Sequence, residues 1–159
     1  MNEPCLQVPP QLDWQWHAFA HLNSRQLYQI LRLRQQVFII EQQCAYGDID
    51  NLDQVAFHLC GTDSASHSLQ ACLRVLPPGA LFEEPSIGRV VTATDGRSCG
   101  LGHELMRRSV EFCRDRFTGT AIRISAQTHL QQFYASHGFE TVTTERFIDG
   151  ILHVEMLLR

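Results

Sequence analysis

Hydrophobic and polar residues alternate or cluster in short segments that predict the strands of a sheet. Leu12–Ala20 alternates apolar and polar side chains, which is typical of a half-buried strand. Apolar segments at Val55–Cys60 and Leu69–Leu76 predict two further strands, the second closed by a Pro-Pro-Gly turn. Strand formers at about Ser86–Thr92 and at Ala121–Ala126 predict the fourth and fifth strands.

Apolar side chains spaced three and four residues apart predict three helices. Ser24 is the predicted N-cap of a helix that runs to about Phe38 and buries one stripe of its surface. A second helix is predicted from about Gly100 to Arg116. A short third helix is predicted from about His129 to Ser136, and Gly138 ends it.

The order of these elements predicts an α/β (α+β) protein with one mixed sheet. Phe139–Arg146 and Ile151–Leu158 are the last two predicted strands, and they are joined by Asp149-Gly150, a dipeptide typical of tight hairpins. The resulting order β-α-β-β-β-α-β-α-β-β places about seven strands between helices. No domain boundary interrupts residues 1–159, so one domain is predicted, with a poorly ordered tail at residues 1–11.

Composition and charge exclude several classes of protein. The net charge of −4 argues against nonspecific nucleic-acid binding. The sequence predicts neither a signal peptide nor a membrane span, so we expect a cytoplasmic protein without a membrane partner. The six cysteines form no C-x-x-C pair, which indicates free thiols and no metal site. All 13 residues of the Lys+Arg total are arginine, so the chain has no lysine side chain to acetylate.

A glycine-rich segment between the fourth strand and the second helix predicts a phosphate-binding loop. Glycine lets backbone N–H groups approach a ligand closely, and a helix start adds unpaired donors with a partial positive charge. For the glycines alone, a tight turn without a ligand is the alternative. The segment lacks the Gly-Lys-Ser/Thr of a nucleoside-triphosphate loop and the three glycines of a dinucleotide loop.

Two motifs resemble one superfamily. Arg97-x-x-Gly100-x-Gly102 resembles the (Arg/Gln)-x-x-Gly-x-(Gly/Ala) pyrophosphate loop of the Gcn5-related N-acetyltransferase (GNAT) superfamily, which binds acetyl-coenzyme A. Tyr134-x-x-x-Gly-Phe139 is similar to a second motif of that superfamily, in the expected order. The resemblance implies the GNAT fold, a mostly antiparallel mixed sheet splayed between strands 4 and 5.

The N-terminal half narrows the resemblance to the ElaA-type subfamily, and matching segments extend from about residue 12 to the C-terminus. The resemblance implies a fold and a cofactor, but it does not fix the acceptor. The matching segments are Leu31-Arg32, Val37-Phe38, Glu41-Gln42-x-Cys44-x-Tyr46, Asp48-x-Asp50-x-x-Asp53, His58, Ile87-Gly88-Arg89-Val90-Val91, Ala126-Gln127-x-His129-Leu130 and Asp149-Gly150-Ile151-x-His153.

The resemblance implies which residues bind acetyl-coenzyme A. Backbone groups of the fourth strand are expected to pair with the pantetheine arm like an added strand, and the loop N–H groups to hold the pyrophosphate. Gln127 stands where many members have an asparagine that faces the cofactor. The implied cofactor-binding set is Val90, Val91, Thr92, Arg97, Ser98, Gly100, Leu101, Gly102, His103, Gln127 and Tyr134.

The implied reaction moves an acetyl group to a primary amine of a small molecule, peptide or protein by direct attack in a ternary complex. Tyr134 is the implied general acid at the leaving sulfur, because a phenol with a pKa near ~10 arrives protonated. A half-buried helix aromatic is the alternative for Tyr134. The amine must lose a proton to a base, and Glu41 and His58 are the candidates. A solvated loop carboxylate and a structural strand histidine are their respective alternatives.

The acceptor is predicted to bind near an acidic loop. Glu41, Tyr46, Asp48 and Asp53 are its predicted contacts, and together with Asp50 the aspartates would attract a cationic amine. Calcium binding is the alternative, although the EF-hand spacing is absent. A noncatalytic coenzyme A-binding or sensing module is the alternative function. The resemblance is compatible with a homodimer, and it gives no role to Cys99.

Overall fold

The computed structural model describes residues 11–159, so the predicted N-terminal tail lies outside the described residues except for its last position. Its helices are α1 (Ser24–Arg34), α2 (Leu101–Arg116) and α3 (Gln131–Ala135). Its strands are β1 (Leu12–Ala18), β2 (Phe57–Asp63), β3 (Leu69–Leu76), β4 (Ser86–Thr92), β5 (Ile122–Gln127), β6 (Glu140–Thr141), β7 (Arg146–Ile148) and β8 (Ile151–Leu158). No helix in this part of the chain is both long and apolar enough to cross a membrane.

One mixed sheet organises the molecule, as predicted. Its strand order is β1-β2-β3-β4-β5-β8-β6, and β7 also pairs with β8. Every pairing is antiparallel except β4–β5, which is parallel. The sheet has eight strands rather than about seven, because the segment predicted as one strand at Phe139–Arg146 divides into β6 and β7.

Helices cover both faces of the sheet, because its strands bury apolar side chains on each side. Leu59 of β2 and Leu73 of β3 belong to the larger core, which also contains Leu105 of α2 and Phe139 after α3. Their neighbours Cys60 and Cys72 belong to a smaller core with Ile30 of α1. Successive strand residues point to opposite faces, so this alternation places α1 on one side and α2 on the other.

The helix predicted from Ser24 to Phe38 differs at both ends. Its N-cap is Asn23, whose side-chain oxygen accepts from the Gln26 N–H at 2.8 Å, while the Gln26 side chain accepts from the Asn23 N–H at 3.0 Å. This reciprocal pair satisfies two otherwise unpaired donors, which is why the helix begins one residue after Asn23. After Arg34 the chain continues as a π-helix over Gln35–Glu41, which the apolar spacing does not predict.

Two predicted strand boundaries also shift, for local reasons. The strand predicted to continue to Ala20 ends at Ala18, where a 3₁₀ turn over Phe19–His21 begins. The strand predicted from Val55 begins at Phe57, because Asp53–Val55 forms another 3₁₀ turn. The predicted hairpin at Asp149-Gly150 is confirmed: both residues have positive φ angles, 49° and 82°, and Ile148 pairs with Ile151 across the turn.

The sheet opens between β4 and β5, which confirms the predicted splay. The two parallel strands share one pairing, Ser86 with Arg123, and diverge toward their C-terminal ends. A β-bulge also interrupts β4, because Cys72 lies opposite Val91 while Arg74 lies opposite Gly88. Two residues of β4 therefore face one residue of β3. We call the opening between β4 and β5 the cleft.

Candidate active site

The predicted phosphate loop lies at the open end of the cleft. A 3₁₀ turn over Thr94–Gly96 follows β4, and the loop then enters α2 at its N-cap, Gly100. Ser98 and Gly100 have positive φ angles of 68° and 77°, a conformation that turns successive N–H groups toward one side. Among residues 11–159 no side chain caps α2, so its first N–H donors have no side-chain partner there.

The loop has room for a phosphate group. A Cβ atom at Gly100 would meet no heavy atom within 4 Å, whereas one at Gly102 would lie 3.4 Å from the ring of Phe133. Leu101 is buried in the larger core and anchors the first turn of α2. Unpaired N–H donors, the positive end of the helix dipole and open space together fit a pyrophosphate.

Arg97 joins the loop to the C-terminal end of the π-helix. Its guanidinium donates to both carboxylate oxygens of Glu41, at 2.5 and 2.8 Å. The hydrogen bond and charge of Arg97 lower the pKa of Glu41, and the same pair raises the pKa of Arg97. The structure thus brings together a predicted cofactor contact and a candidate base.

The last residue of the π-helix and the three residues after it contact elements on both sides of the cleft. We call this segment, Glu41–Cys44, the cleft strap. Besides the bond from Glu41 to Arg97, the amides of Gln42 and Gln127 bond to each other at 3.2 and 3.5 Å. The thiol of Cys44 donates to the carbonyl of Asp149 at 3.1 Å. The strap therefore links the phosphate loop, the end of β5 and the β7–β8 hairpin.

Tyr134 lies in α3 beneath the start of α2. Its ring packs edge-on against Phe133 and Phe139, and the residue is 9% exposed. Burial raises the pKa of Tyr134 to about 12, so its hydroxyl stays protonated at neutral pH. Within residues 11–159 this hydroxyl forms no hydrogen bond to the protein. A protonated and uncommitted hydroxyl fits a proton donor.

Two histidines flank the same corner. His103, in the first turn of α2, lies with its Nδ1 2.9 Å from Nε2 of His137. Both rings pack against Phe133, with centroids 4.9 and 5.2 Å from its ring. Burial and the neighbouring His103 lower the pKa of His137. The sequence singled out His103 by its place in the loop, but it gave no reason to pair it with His137.

The predicted acidic cluster is balanced by three arginines. Asp48 pairs with Arg34 at 2.8 Å and with Arg89 at 2.7 Å. Asp53 pairs with Arg34 at 2.7 Å and with Arg74 at 3.0 Å. These carboxylates are therefore committed to ion pairs inside the protein.

Asp50 completes this network at its exposed side. It pairs with Arg74 at 2.6 Å and with Arg89 at 3.3 Å. Burial alone would raise the pKa of Asp50, but hydrogen bonds and charge from Arg74 lower it to about 2. The hydroxyl of Tyr46 donates to Asp48 at 3.0 Å, and burial raises the pKa of Tyr46 to about 12. Asp48 thus fixes Tyr46 in the acidic loop.

His58, the second candidate base, is 1% exposed within β2. Its Nε2 lies 3.0 Å from the carbonyl of Asp53, and a carbonyl only accepts, so Nε2 carries the hydrogen of the neutral ring. Burial lowers the pKa of His58 and keeps it neutral. His58 thereby supports the carbonyl of Asp53 from below the acidic network.

Sequence reasoning missed the arginines that hold the acidic loop. Arg34 interrupts an apolar helix stripe and Arg74 interrupts an apolar strand, and both are nearly inaccessible, at 1% and 3% exposure. A buried cation needs a carboxylate partner. Two arginines at core positions beside an Asp-rich loop were therefore the signal for this network.

A separate groove of about 260 Å³ lies on β1, β2 and α1. Asp13, His17, Arg25 and Thr62 are among its lining residues. None of the predicted cofactor, catalytic or acceptor residues lines it. The predicted active-site residues therefore lie elsewhere than in this groove. In the part of the chain that the structure describes, no group of three or more His, Cys, Asp or Glu residues is arranged to hold a metal ion.

Cysteine placement is uneven. Cys44, Cys60, Cys72 and Cys113 are buried and unbridged. Cys99 is partly exposed within the phosphate loop. Burial raises the pKa of Cys60 and of Cys113 to about 12, which keeps these thiols protonated.

Fold and loop together define an acyl-CoA-dependent acyltransferase. A family model described as an acetyltransferase (GNAT) domain matches residues 75–159, and the chain belongs to the GNAT family. Within that family the predicted ElaA-type similarity is confirmed. The Escherichia coli protein ElaA is 36% identical over 147 residues, which cover 91% of this chain and 95% of ElaA.

Solved structures agree with the sequence comparison. The structure of an acyl-CoA N-acyltransferase from Pseudomonas aeruginosa is similar with a TM-score of 0.87 and 38% identity, covering 94% of this chain and 100% of that one. The structure of Escherichia coli ElaA is similar with a TM-score of 0.86 and 34% identity, over 94% of this chain and 100% of that one. The whole GNAT architecture is therefore present.

Proposed function

We propose that the protein transfers an acetyl group from acetyl-coenzyme A to a primary amine of a small molecule, peptide or protein. The observation that carries this proposal is the uncapped, open start of α2 beside the protonated hydroxyl of Tyr134. The first feature suits a pyrophosphate and the second suits a departing thiolate. The relative from Pseudomonas aeruginosa, described as an acyl-CoA N-acyltransferase, supports the same class of acceptor.

In this proposal, three parts of the chain hold the cofactor. N–H groups from Ser98 to His103 receive the pyrophosphate, with Arg97 adding charge. Backbone groups of Val90–Thr92 pair with the pantetheine arm along the open edge of β4, which lacks a β5 partner there. Gln127, at the end of β5, supplies an amide on the opposite side of the cleft.

Tyr134 is the proposed general acid. Its raised pKa means that the phenol stays protonated at neutral pH and can donate to the sulfur as negative charge develops there in the transition state. Edge-on packing against Phe133 and Phe139 holds the ring that carries this hydroxyl.

Glu41 is the preferred base of the two candidates. Its side chain is 39% exposed at the cleft strap, and its ion pair with Arg97 joins it to the phosphate loop. His58 is held by the carbonyl of Asp53 and is nearly inaccessible. We propose that Glu41 receives the amine proton, directly or through water, and that His58 supports the acidic loop.

The acidic loop is proposed to shape the acceptor site. Asp48 and Asp53 act there through the groups that they fix, because their own charges are balanced by arginines. Tyr46, held by Asp48, and Glu41 are the proposed direct contacts of the amine. The proposed domain extends over residues 1–159, and a homodimer is compatible with it.

Release of coenzyme A in the presence of a panel of amines tests the proposal. The panel contains small diamines, amino-acid amides, and peptides with free N-termini or lysine side chains. We expect thiol release that depends on both substrates for at least one class of amine. A noncatalytic coenzyme A-binding module would bind acetyl-coenzyme A and release no thiol with any of them.

Cofactor binding is tested separately by Gly100→Asp. Acetyl-coenzyme A at 100 times its dissociation constant should stabilise the wild-type protein by ~2.7 kcal/mol. Gly100→Asp should abolish that shift, because it places a carboxylate beside the pyrophosphate. Gly119→Asp is the matched control: Gly119 has the same φ angle, 77°, and the same open surroundings, but it follows the far end of α2. Equal stabilisation of the two variants would remove the loop assignment.

A further inference from the structure

The bulge in β4 reverses which face its residues point to. Ile87 belongs to the larger core under α2, so strict alternation would place Val91 on that face as well. Instead Val90 packs against the larger core, and Val91 belongs to the smaller core beside α1. One additional residue produces this reversal.

Arg89 occupies the bulge in a conformation that arginine rarely adopts. Its φ angle is 53°, in the left-handed region that glycine tolerates best. Its neighbour Gly88 does not have a positive φ angle. A non-glycine residue persists there only when its surroundings hold it, and such positions cluster at functional sites. The side chain of Arg89 must therefore supply part of the constraint.

Four contacts tether that side chain to the acidic loop. Nε lies 2.7 Å from the carboxylate of Asp48, and the guanidinium also donates to the Asp48 carbonyl at 3.0 Å. A further bond reaches Asp50 at 3.3 Å, and the guanidinium carbon lies 5.7 Å from the ring centroid of Tyr46. Arg34 fixes Asp48 from the other side, with bonds to its carboxylate and its carbonyl. The tether therefore ends on a rigid anchor.

The bulge lies where β4 has no β5 partner. The pairing of β4 with β5 stops at Ser86, and residues Gly88–Thr92 border the open cleft. Adding one residue to a strand changes which N–H groups face the neighbouring strand and which face the opening. The conformation at Arg89 therefore decides how the N–H groups of Val90 and Val91 are aimed.

We propose that Arg89 is a positioning residue: by tethering the β4 bulge to the acidic loop, it aims the N–H groups of Val90 and Val91 at the thioester carbonyl. This inference rests on the proposed acetyl transfer. It adds that one side chain, Arg89, sets the position of the acidic loop relative to the acyl group. Most of the affinity for coenzyme A comes from the phosphate loop in this proposal, so affinity should depend much less on the tether than kcat does.

Kinetics of Arg89→Gly test the tether without straining the backbone, since glycine accepts the φ angle. We expect kcat to fall by ~10²-fold, the usual effect of a misplaced reacting group, with KM for acetyl-coenzyme A changed less than about twofold. Arg89→Lys keeps the charge but not the planar fork and should restore part of kcat. Arg123→Met is the matched control, because Arg123 also forms ion pairs on a strand, with Glu84 and Glu155, at the closed end of the sheet.

An NMR measurement reports on the same geometry without turnover. In the wild-type protein the amide resonances of Val90 and Val91 should differ between the acetyl-coenzyme A and coenzyme A complexes, because only the former has a thioester carbonyl. The difference should persist in Arg123→Met and disappear in Arg89→Gly.

The outcomes separate the two proposals. A folded Arg89→Gly variant with wild-type kcat and an unchanged amide difference overturns the role of Arg89. Equal losses of kcat and of coenzyme A affinity also overturn it, because the residue would then act on binding. If the wild-type protein acetylates no amine yet shows the amide difference, acetyl transfer fails while the positioning role stands. If Arg89→Gly does not fold, Arg89→Lys decides, and an unchanged kcat there rejects the tether.

Discussion

At the scale of single residues, burial keeps the hydroxyl of Tyr134, the proposed general acid, protonated. Its ring contributes to the larger core, whereas its hydroxyl has no partner among residues 11–159. The ring is therefore used for packing, and the hydroxyl is free to bond to a ligand.

Tyr134→Phe should lower kcat by ~10²–10⁴-fold, because it deletes the proton donor and keeps the ring. Binding of acetyl-coenzyme A should change little, since the loop amides carry the affinity. Tyr28→Phe is the control, because Tyr28 is 70% exposed on α1. The measurements are kcat with a competent amine, a binding isotherm and a melting curve. If the hydroxyl has no part in the reaction, the variant will keep its kcat.

Residues with proposed chemical roles can be picked out from the sequence when a short motif contains them. Tyr134, Arg97 and Gly100 follow from spacing along the chain, because a loop and the helix beside it are contiguous in sequence. The partners of Arg89 and Arg74 were not predictable in the same way. Each ion pair joins residues at least 20 positions apart, and no local pattern encodes that pairing.

At the scale of elements, the π-helix determines where the cleft strap begins. An α-helix continued from Arg34 would rotate the residues after it by a different angle, because a π turn holds more residues. The wider turn delivers Glu41 to Arg97 and Gln42 to Gln127. Both bonds involve groups that we propose for cofactor binding, so the strap and the cofactor compete for Arg97 and Gln127.

Glu41→Gln should separate these two effects. Loss of the carboxylate releases Arg97, so acetyl-coenzyme A should bind at least as tightly as in the wild-type protein. Loss of the proposed base should lower kcat by ~10²-fold. The control is Glu111→Gln, which removes a comparable exposed ion pair with Arg107 on α2. Unchanged kcat would transfer the base role to His58 or to solvent.

The apolar periodicity predicted most helices and strands but not the local features that modify them. The bounds of β3 and β4 match the prediction, because each has a dense apolar pattern between turn residues. The π-helix, the Asn23 capping box and the bulge at Arg89 were missed. The π-helix and the bulge depend on tertiary contacts or on one extra residue, which leave no mark in an apolar repeat. The capping box, in contrast, follows from Asn23 and Gln26, which are three residues apart in the sequence.

At the scale of the whole molecule, the Arg–Asp network connects α1, β3, β4 and the acidic loop. Burial alone would raise the pKa values of Asp50 and Asp53, but hydrogen bonds and charge from the arginines lower both. Acid that protonates the carboxylates therefore acts on several elements at once. The acidic loop was predictable from the sequence, but its part in linking these elements was not.

Stability should decline in acid over a defined range. The folded pKa of Asp50 is about 2 against an ordinary value of 3.8, so its contribution is complete above pH 3.8 and is lost as the pH falls toward 2. After allowance for solvent screening, that contribution is about 1–2 kcal/mol. Asp50→Asn should lower stability at neutral pH and flatten this part of the curve, measured by urea unfolding from pH 7 to 2. Asp115→Asn, an exposed change on α2, should leave the curve unaltered.

The placement of the cysteines allows a chemical reaction at Cys99 to report whether the phosphate loop is occupied by a ligand. Within residues 11–159, Cys99 is the one cysteine that is not buried, and it lies in the phosphate loop. Among the cysteines of residues 11–159, a maleimide should therefore modify Cys99 first, and acetyl-coenzyme A should slow that alkylation in the wild-type protein but not in Gly100→Asp. Mass spectrometry of the peptide that contains Cys99 follows the reaction. Alkylation that proceeds equally fast with and without acetyl-coenzyme A would show that the loop stays open. The experiment does not require the acceptor to be known.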